Sequence, residues 1–153
     1  MSGTANSRGS LAHFSASWMI ASITGWNERW PSITAESIAK ALKLPLITDR
    51  AALALLVAKT ALAEGHAVSV FLAGDAVQLL REPVLDNLAG LGTGRLREHF
   101  DAIAKAGGKF YLSGGSSKAR GVTDADLTGK PAEFATPDVL LRLSLAHDRM
   151  FTY

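Results

Sequence analysis

Apolar and polar positions change their period along the chain, and the changes predict strands alternating with helices. Residues 18–24, Trp-Met-Ile-Ala-Ser-Ile-Thr, form a mostly apolar run that suits a buried strand. Residues 25–32 read as a loop holding Trp26, Trp30 and Pro31. Thr34 suits the N-cap of a short helix from Ala35 to Lys43, with Ile38, Ala41 and Leu42 on one face, and Pro45 ends it. From Asp49, itself a good N-cap, Ala52, Leu55, Leu56 and Leu62 recur at helical spacing until Gly65 stops the helix. Ala67 to Leu72 is then a short apolar run rich in β-formers, closed by Gly74.

The second half repeats this grammar. Short helical pieces are expected at Asp75–Leu80 and Pro83–Leu88, and a loop at 90–94. A second long helix, Arg95 to Ala106, carries Leu96, Phe100, Ile103 and Ala104 on one face and stops at Gly107-Gly108. Strand Lys109–Leu112 follows, then Ser113-Gly-Gly-Ser-Ser-Lys-Ala-Arg-Gly121, read as a loop. Thr123-Asp-Ala-Asp126 fits a capping box. Thr136-Pro137-Asp138 opens a last helix to about His147, and Arg149–Tyr153 suits a closing strand. This alternation predicts an α/β fold with a mostly parallel sheet and helices on both faces. Lys43-Leu-Pro-Leu-Ile-Thr48 is a rival first strand, but Pro45 would remove a ladder bond from a central strand, so 18–24 is preferred with 25–48 as an insertion. Residues 1–16 then read as a flexible head and 17–153 as one domain.

Composition narrows the chemistry. A chain of 153 residues can bury a core without staples. It has no cysteine, which excludes disulfides, thiolate zinc sites, cysteine nucleophiles and any persulfide on the chain itself. The net charge of +2 is too small to imply nucleic acid. Arg95, Arg97, Lys105, Lys109, Lys118 and Arg120 are dispersed among acids without interleaved aromatics, so nucleic-acid binding is disfavoured. No apolar run is long enough to span a membrane. The N-terminal stretch, interrupted by His13 and several serines, makes a poor secretory signal, which leaves the cytoplasm as the default location.

In an open parallel sheet, ligands bind beyond the carboxyl ends of the strands. Two such ends stand out: Ala73-Gly74-Asp75, and the segment 113–121. In the second, Gly114 and Gly115 suit positive φ and close approach to a ligand. Ser116 or Ser117 can cap a short helix, while Lys118 and Arg120 add positive charge. The set suits a small anion such as sulfate, phosphate, a carboxylate or a thio-acid, and equally suits a capped turn with two solvated bases. Gly90-Leu-Gly-Thr-Gly94 is not the dinucleotide fingerprint, and Gly107-Gly108-Lys109 lacks the Walker spacing. His66 is expected to face solvent, His99 lies beside Glu98 on the long helix, and His147 suits a helix C-terminus. The four histidines show no metal-ligand spacing, no cofactor is implied, and Gly114-Gly-Ser-Ser117 does not match the nucleophile elbow Gly-x-Ser-x-Gly. Catalytic residues are therefore not assigned, and the reading leans away from an enzyme.

Three stretches together resemble the DsrE/DsrF-like (YchN-like) family. They are Ala51–Val77 with Ala-Glu-Gly-His and Val-Phe-Leu-Ala-Gly-Asp, Lys109–Val122 with Lys-Ala-Arg-Gly, and the ending from Asp126-Leu127 through Ala135–Tyr153. The resemblance covers about residues 49–153 and implies a flavodoxin-like three-layer α/β/α sandwich, homotrimers or homohexamers, and kinship with sulfur-relay proteins. In those relatives a cysteine after the third strand carries sulfur as a persulfide, and some have Cys-x-x-Cys before Lys-Ala-Arg-Gly. The matching positions here are Ser113 and Ser116, and a hydroxyl cannot hold a sulfane sulfur. The expectation is an oligomer that binds a small anion, a sulfur compound or a partner through Asp75, Ser113, Gly114, Gly115, Ser116, Ser117, Lys118 and Arg120. The alternative is an accessory subunit in sulfur transfer that uses a partner's cysteine.

Overall fold

A computed structural model describes residues 18–23 and 45–153, with side chains from Asp49 onward. Its elements in chain order are β1 (Trp18–Ile23), α1 (Pro45–Ala63), β2 (Val68–Gly74), a 3-10 helix (Asp75–Leu80), α2 (Glu82–Asn87) and the short strands β3 (Ala89–Gly90) and β4 (Gly94–Arg95). There follow α3 (Leu96–Lys105), β5 (Lys109–Ser113), α4 (Gly114–Ala119), α5 (Asp124–Leu127), β6 (Ala132–Ala135), α6 (Pro137–Ala146) and β7 (Phe151–Thr152). The head 1–16, the loop 25–32 and the helix 35–43 expected from sequence lie outside the described residues.

Several local signals act as the residue types require. Gly65, at φ 85°, lets α1 end with the N–H of His66 on the carbonyl of Ala61 and the N–H of Gly65 on that of Leu62, both at 3.0 Å. Gly107 closes α3 with the same pair of bonds, to Ile103 and Ala104. Thr123 and Asp126 form the capping box at α5.

Other boundaries differ from the sequence expectation. The helix begins at Pro45, not Asp49, because proline's fixed φ and missing N–H suit a first turn. Residues 45–48 are therefore helical rather than a strand, and 18–23 supply the first strand. Asp49 does not cap the helix; its Oδ1 accepts the N–H of Leu91 at 2.7 Å. The segment 90–94 is the tip of an antiparallel hairpin rather than a plain loop, with Gly90 of β3 paired to Gly94 of β4 and the turn at 91–93. Strand β6, with only Ala-Glu-Phe-Ala, has no sequence signal of its own and is made by pairing with β5, Leu112 opposite Phe134.

The five main strands form one parallel sheet in the order β6-β5-β2-β1-β7. From β1 the chain steps outward through β2 and β5 to β6, then returns to the far side of β1 as β7. Right-handed crossovers put helices made in one stepping direction on one face and the returning helix on the other. Accordingly Val68, Val70, Leu72, Phe110 and Leu112 share a core with Leu55, Leu80, Leu85, Leu96 and Ile103 from the outward helices. On the opposite face Phe71, Ala73 and Tyr111 meet Val139, Leu140 and Leu143 of α6. The result is a flavodoxin-like three-layer α/β/α sandwich. No helix among the described residues is long and apolar enough to cross a membrane.

Candidate ligand site at the ends of two central strands

Strands β2 and β5 are parallel neighbours with Leu72 opposite Leu112, so their carboxyl ends release the chain side by side. The reversal of strand order lies elsewhere, between β1 and β7. Both exits of the candidate site therefore lead to elements stepping the same way.

The left-handed turn belongs to Gly74, at φ 58° and ψ −133°, where β2 meets the 3-10 helix. Gly114 and Gly115, expected to supply it, open α4 instead and are not at positive φ. The expected loop 113–121 is thus largely a helix of six residues. Its N-cap is Ser113, not Ser116 or Ser117: the N–H of Ser116 donates to Ser113 Oγ at a long 3.4 Å. Ser116 turns its hydroxyl across to the other strand end and accepts the N–H of Gly74 at 3.0 Å. That bond joins residues 42 positions apart and pins α4 to the end of β2. Ser117 is buried, and the described residues give its hydroxyl no hydrogen-bond partner.

The two basic residues part company. Arg120 Nε donates to Asp75 Oδ1 at 2.7 Å, and its Nη1 lies 3.4 Å from the carbonyl oxygen of Ser116. Asp75 and Arg120 therefore come together as sequence suggested, but as a compensated ion pair. Lys118 is exposed in the last turn of α4, where it complements the helix's carbonyl end rather than the Ser113 end.

Arg81 was not found by sequence reasoning. Its guanidinium donates to the carbonyls of Arg120 (3.0 Å) and Gly121 (2.6 Å), and its Nε lies 3.7 Å from Asp126 Oδ1. It thus ties the far end of α4 to the capping box of α5. The contact spans about forty residues of sequence, and nothing local to Arg81 signals it.

The hydrogen bonds described for the Ser113 and Ser116 hydroxyls run to backbone amides; neither joins a histidine or a carboxylate. Among the described residues the Ser–His contact is at the opposite end of the sheet, where His147 Nε2 lies 3.2 Å from Ser69 Oγ. Among the described residues His147 Nδ1 has no hydrogen-bond partner there, so none of their acids orients the ring as a triad requires. His99 is buried, with Nε2 2.5 Å from the carbonyl oxygen of Thr93, and fastens the β3–β4 hairpin to α3. His66 is half-buried rather than fully turned to solvent. Among the described residues no cluster of three His, Asp or Glu side chains is placed to hold a metal ion.

Among solved structures, the chain is similar to the YchN protein of E. coli, with a TM-score of 0.53 at 16% identity over 90% of this chain and 98% of that one. A conserved protein of unknown function from Bacteroides thetaiotaomicron aligns with a TM-score of 0.49 at 10% identity, over 90% of this chain and 94% of that one. No curated protein matches the sequence. The first likeness shows the fold alone. The family follows from the sequence model of the DsrE/DsrF-like proteins, which matches residues 43–153 and so takes in β2, β5, both strand ends and the Ser113–Gly121 helix; this chain belongs to the DsrE/DsrF-like family.

Proposed function

We propose that this protein is a binding member of its family that carries no sulfur of its own. Its occupant is a small anion or sulfur compound, or a protein partner, held over the ends of β2 and β5. The observation that carries this is the pair of serines at 113 and 116 in a chain without cysteine, with Ser116 already committed to the N–H of Gly74. A hydroxyl in that setting is a far poorer nucleophile than a thiolate, and the described geometry offers it no base.

The Asp75–Arg120 pair sets the terms for an anion. The anion must compete with a carboxylate for the guanidinium, so binding strengthens when that carboxylate loses its charge. A thermal-shift panel of sulfate, phosphate, thiosulfate and small thiols tests this, because a ligand held only by the folded state raises the melting temperature. The shift should grow in Asp75→Asn and vanish in Arg120→Ala. If both variants respond as the parent does, the site lies elsewhere. If no compound shifts the parent, the occupant is a protein, and the reading as an accessory subunit with a partner's cysteine gains.

The same proposal includes self-association as a trimer or hexamer. Its physical support is the exposure of the hairpin-tip Leu91, at 89%, and of Leu53 on α1, the helix to which Asp49 tethers the tip. Light scattering on the full chain should give a mass above the monomer, and Leu91→Lys should lower it. A monodisperse monomer would remove this part of the reading.

A further inference from the structure

The hairpin of β3 and β4 is fastened at its base, along its arm and at its tip. At the base the N–H of Leu96 donates to the carbonyl of Leu88 at 2.9 Å. At the tip the N–H of Leu91 donates to Asp49 Oδ1 on α1 at 2.7 Å. Between the two, His99 Nε2 in the first turn of α3 lies 2.5 Å from the carbonyl oxygen of Thr93. The fit beneath is close. A Cβ at Gly94, at φ 88°, would sit 3.3 Å from His99 Nε2. One at Gly90 would run into Thr93 Oγ1 and come within 2.8 Å of Ala52 Cβ on α1. Ala52 is wholly buried.

A carbonyl oxygen only accepts, so Nε2 carries the proton that bonds Thr93, and the neutral ring keeps a bare lone pair on Nδ1. His99 is 5% exposed, and among the described residues its Nδ1 has no hydrogen-bond partner. A second proton enters only there, as a buried N–H without an acceptor. The field opposes it too, since the first turn of α3 is the positive end of that helix. On α1, Asp49 is taken by Leu91, and Arg50 and Lys59 are exposed. On α2, Glu82 and Asp86 hold Arg97. Arg95 of the hairpin is exposed, as are Glu98 and Asp101 on α3 itself. Among the described residues the hydrogen bond of His99 runs to Thr93 and to none of these charges. Thr93 Oγ1 is a second buried polar atom without a partner there, so both it and Nδ1 gain water when the hairpin lifts.

We propose that the hairpin is a clasp released by acid: protonation of His99 lifts residues 89–95 off α1 and α3, about a hinge at the Leu88–Leu96 bond. An imidazole is the side chain that switches charge between about pH 5 and 8. In the open hairpin water accepts from Nδ1, so the proton is held more tightly there, and acid shifts the population toward that state. Opening bares Ala52 and the α1 surface that Gly90 covers. The inference depends neither on what the strand ends bind nor on self-association.

The absence of cysteine makes opening readable by thiol labelling, since an introduced thiol is the only one present. In the full chain, Ala52→Cys places it under the hairpin, and Leu91→Cys on the exposed tip is the reference. The ratio of the two labelling rates cancels the common effect of pH on the thiolate. This ratio should rise from about pH 7.5 to about pH 5.5, by at most about tenfold per unit, the limit for one linked proton. With His99→Gln added, which keeps a donor for Thr93 but takes up no proton, the ratio should stay level. A level ratio with His99 in place, or an equal rise with His99→Gln, would overturn the proposal. Amide exchange reads the same event without any substitution. Protection, corrected for the intrinsic rate, should fall across residues 90–95 in acid while β5 keeps its own. Unchanged protection across the hairpin, or a fall shared by β5 as in general acid unfolding, would count against the clasp.

Discussion

The two faces of the sheet are built to different standards. On one, Val70, Phe110 and Leu112 are essentially sealed beneath α1, α2 and α3, with the Phe100 and Phe110 rings 4.9 Å apart and Leu96 and Ile103 wholly buried. On the other, Phe71 and Tyr111 have α6, whose Val139, Leu140 and Leu143 are only half-buried. The charged fastenings follow the same division. The thick face is belted by Arg97 on Glu82 and Asp86 and by Lys130 on Glu82, while α6 carries the exposed pair Asp138–Arg142. Topology is the cause: three of four crossovers step the same way and stack on one side, and one helix returns alone. Among the described residues the larger core thus lies on one face, while α6 alone covers the other.

The largest expected effect measures that asymmetry. Phe110→Ala should cost about 3–5 kcal/mol, since it removes a sealed aromatic and leaves a cavity that the close-packed neighbours cannot fill. Leu143→Ala should cost about 1–2 kcal/mol, because a half-exposed side chain loses less transfer energy and leaves no closed void. Urea unfolding of the two variants under identical conditions gives both numbers. Equal costs would mean that the thin face is packed as tightly as the thick one.

A middle-sized effect separates the belts. Lys130 has a side chain only 5% exposed, and Glu82 Oε1 lies 2.6 Å from its ammonium. The hydrogen bond from Lys130, followed by that from Arg97, holds the Glu82 carboxyl below the usual value of 4.5. A carboxyl with a depressed folded pKa contributes its full stability above the unfolded value, and that contribution fades as pH falls through the lower, folded value. The parent should therefore lose stability below pH 4.5 more steeply than Glu82→Gln. At neutral pH the same variant should be weaker by about 1 kcal/mol, because Gln keeps an acceptor oxygen for Lys130, which also donates to the carbonyl of Asp126, and removes only a half-exposed charge opposite the ammonium. A denaturation series from neutral to acid pH reads both. Parallel pH profiles would show that the belt contributes nothing through this carboxylate.

What the sequence made legible, and what it hid, follows the range of each interaction. The stops at Gly65 and Gly107 and the Thr123–Asp126 box are contacts within six residues, so local residue types announce them, and β2 shows in its own apolar run. Strand β6 owes its form to pairing with β5, and the hairpin turn at 91–93, though its strand pair is local, is held by Asp49 some 42 positions away. At the candidate site the neighbourhood was readable, since Asp75, Ser113, Ser116 and Arg120 do converge. The wiring was not. Two glycines in the first turn of α4 argue against a helix at about 1 kcal/mol each, so the segment read as a loop. The helix holds because Ser113 caps it, Ser116 anchors it to Gly74 and Arg81 takes the carbonyls at its far end.

The smallest effect tests which serine of α4 that anchoring needs. Ser116 and Ser117 are adjacent and chemically identical, yet one accepts the N–H of Gly74 and the other is sealed with its hydroxyl unpartnered. Ser116→Ala strips the partner from a part-buried amide at the strand end and should destabilise by about 1 kcal/mol. Ser117→Ala removes a hydroxyl that pays desolvation without a bond in return, so it should lie within about 0.5 kcal/mol of the parent or be slightly more stable. Chemical denaturation resolves the pair if both are measured against the parent on the same day. A loss of more than about 1 kcal/mol in Ser117→Ala would mean that its hydroxyl has a partner in solution, such as a buried water. The inner side of α4 would then hold a polar pocket, and the occupant of the site would be sought there rather than over Ser113.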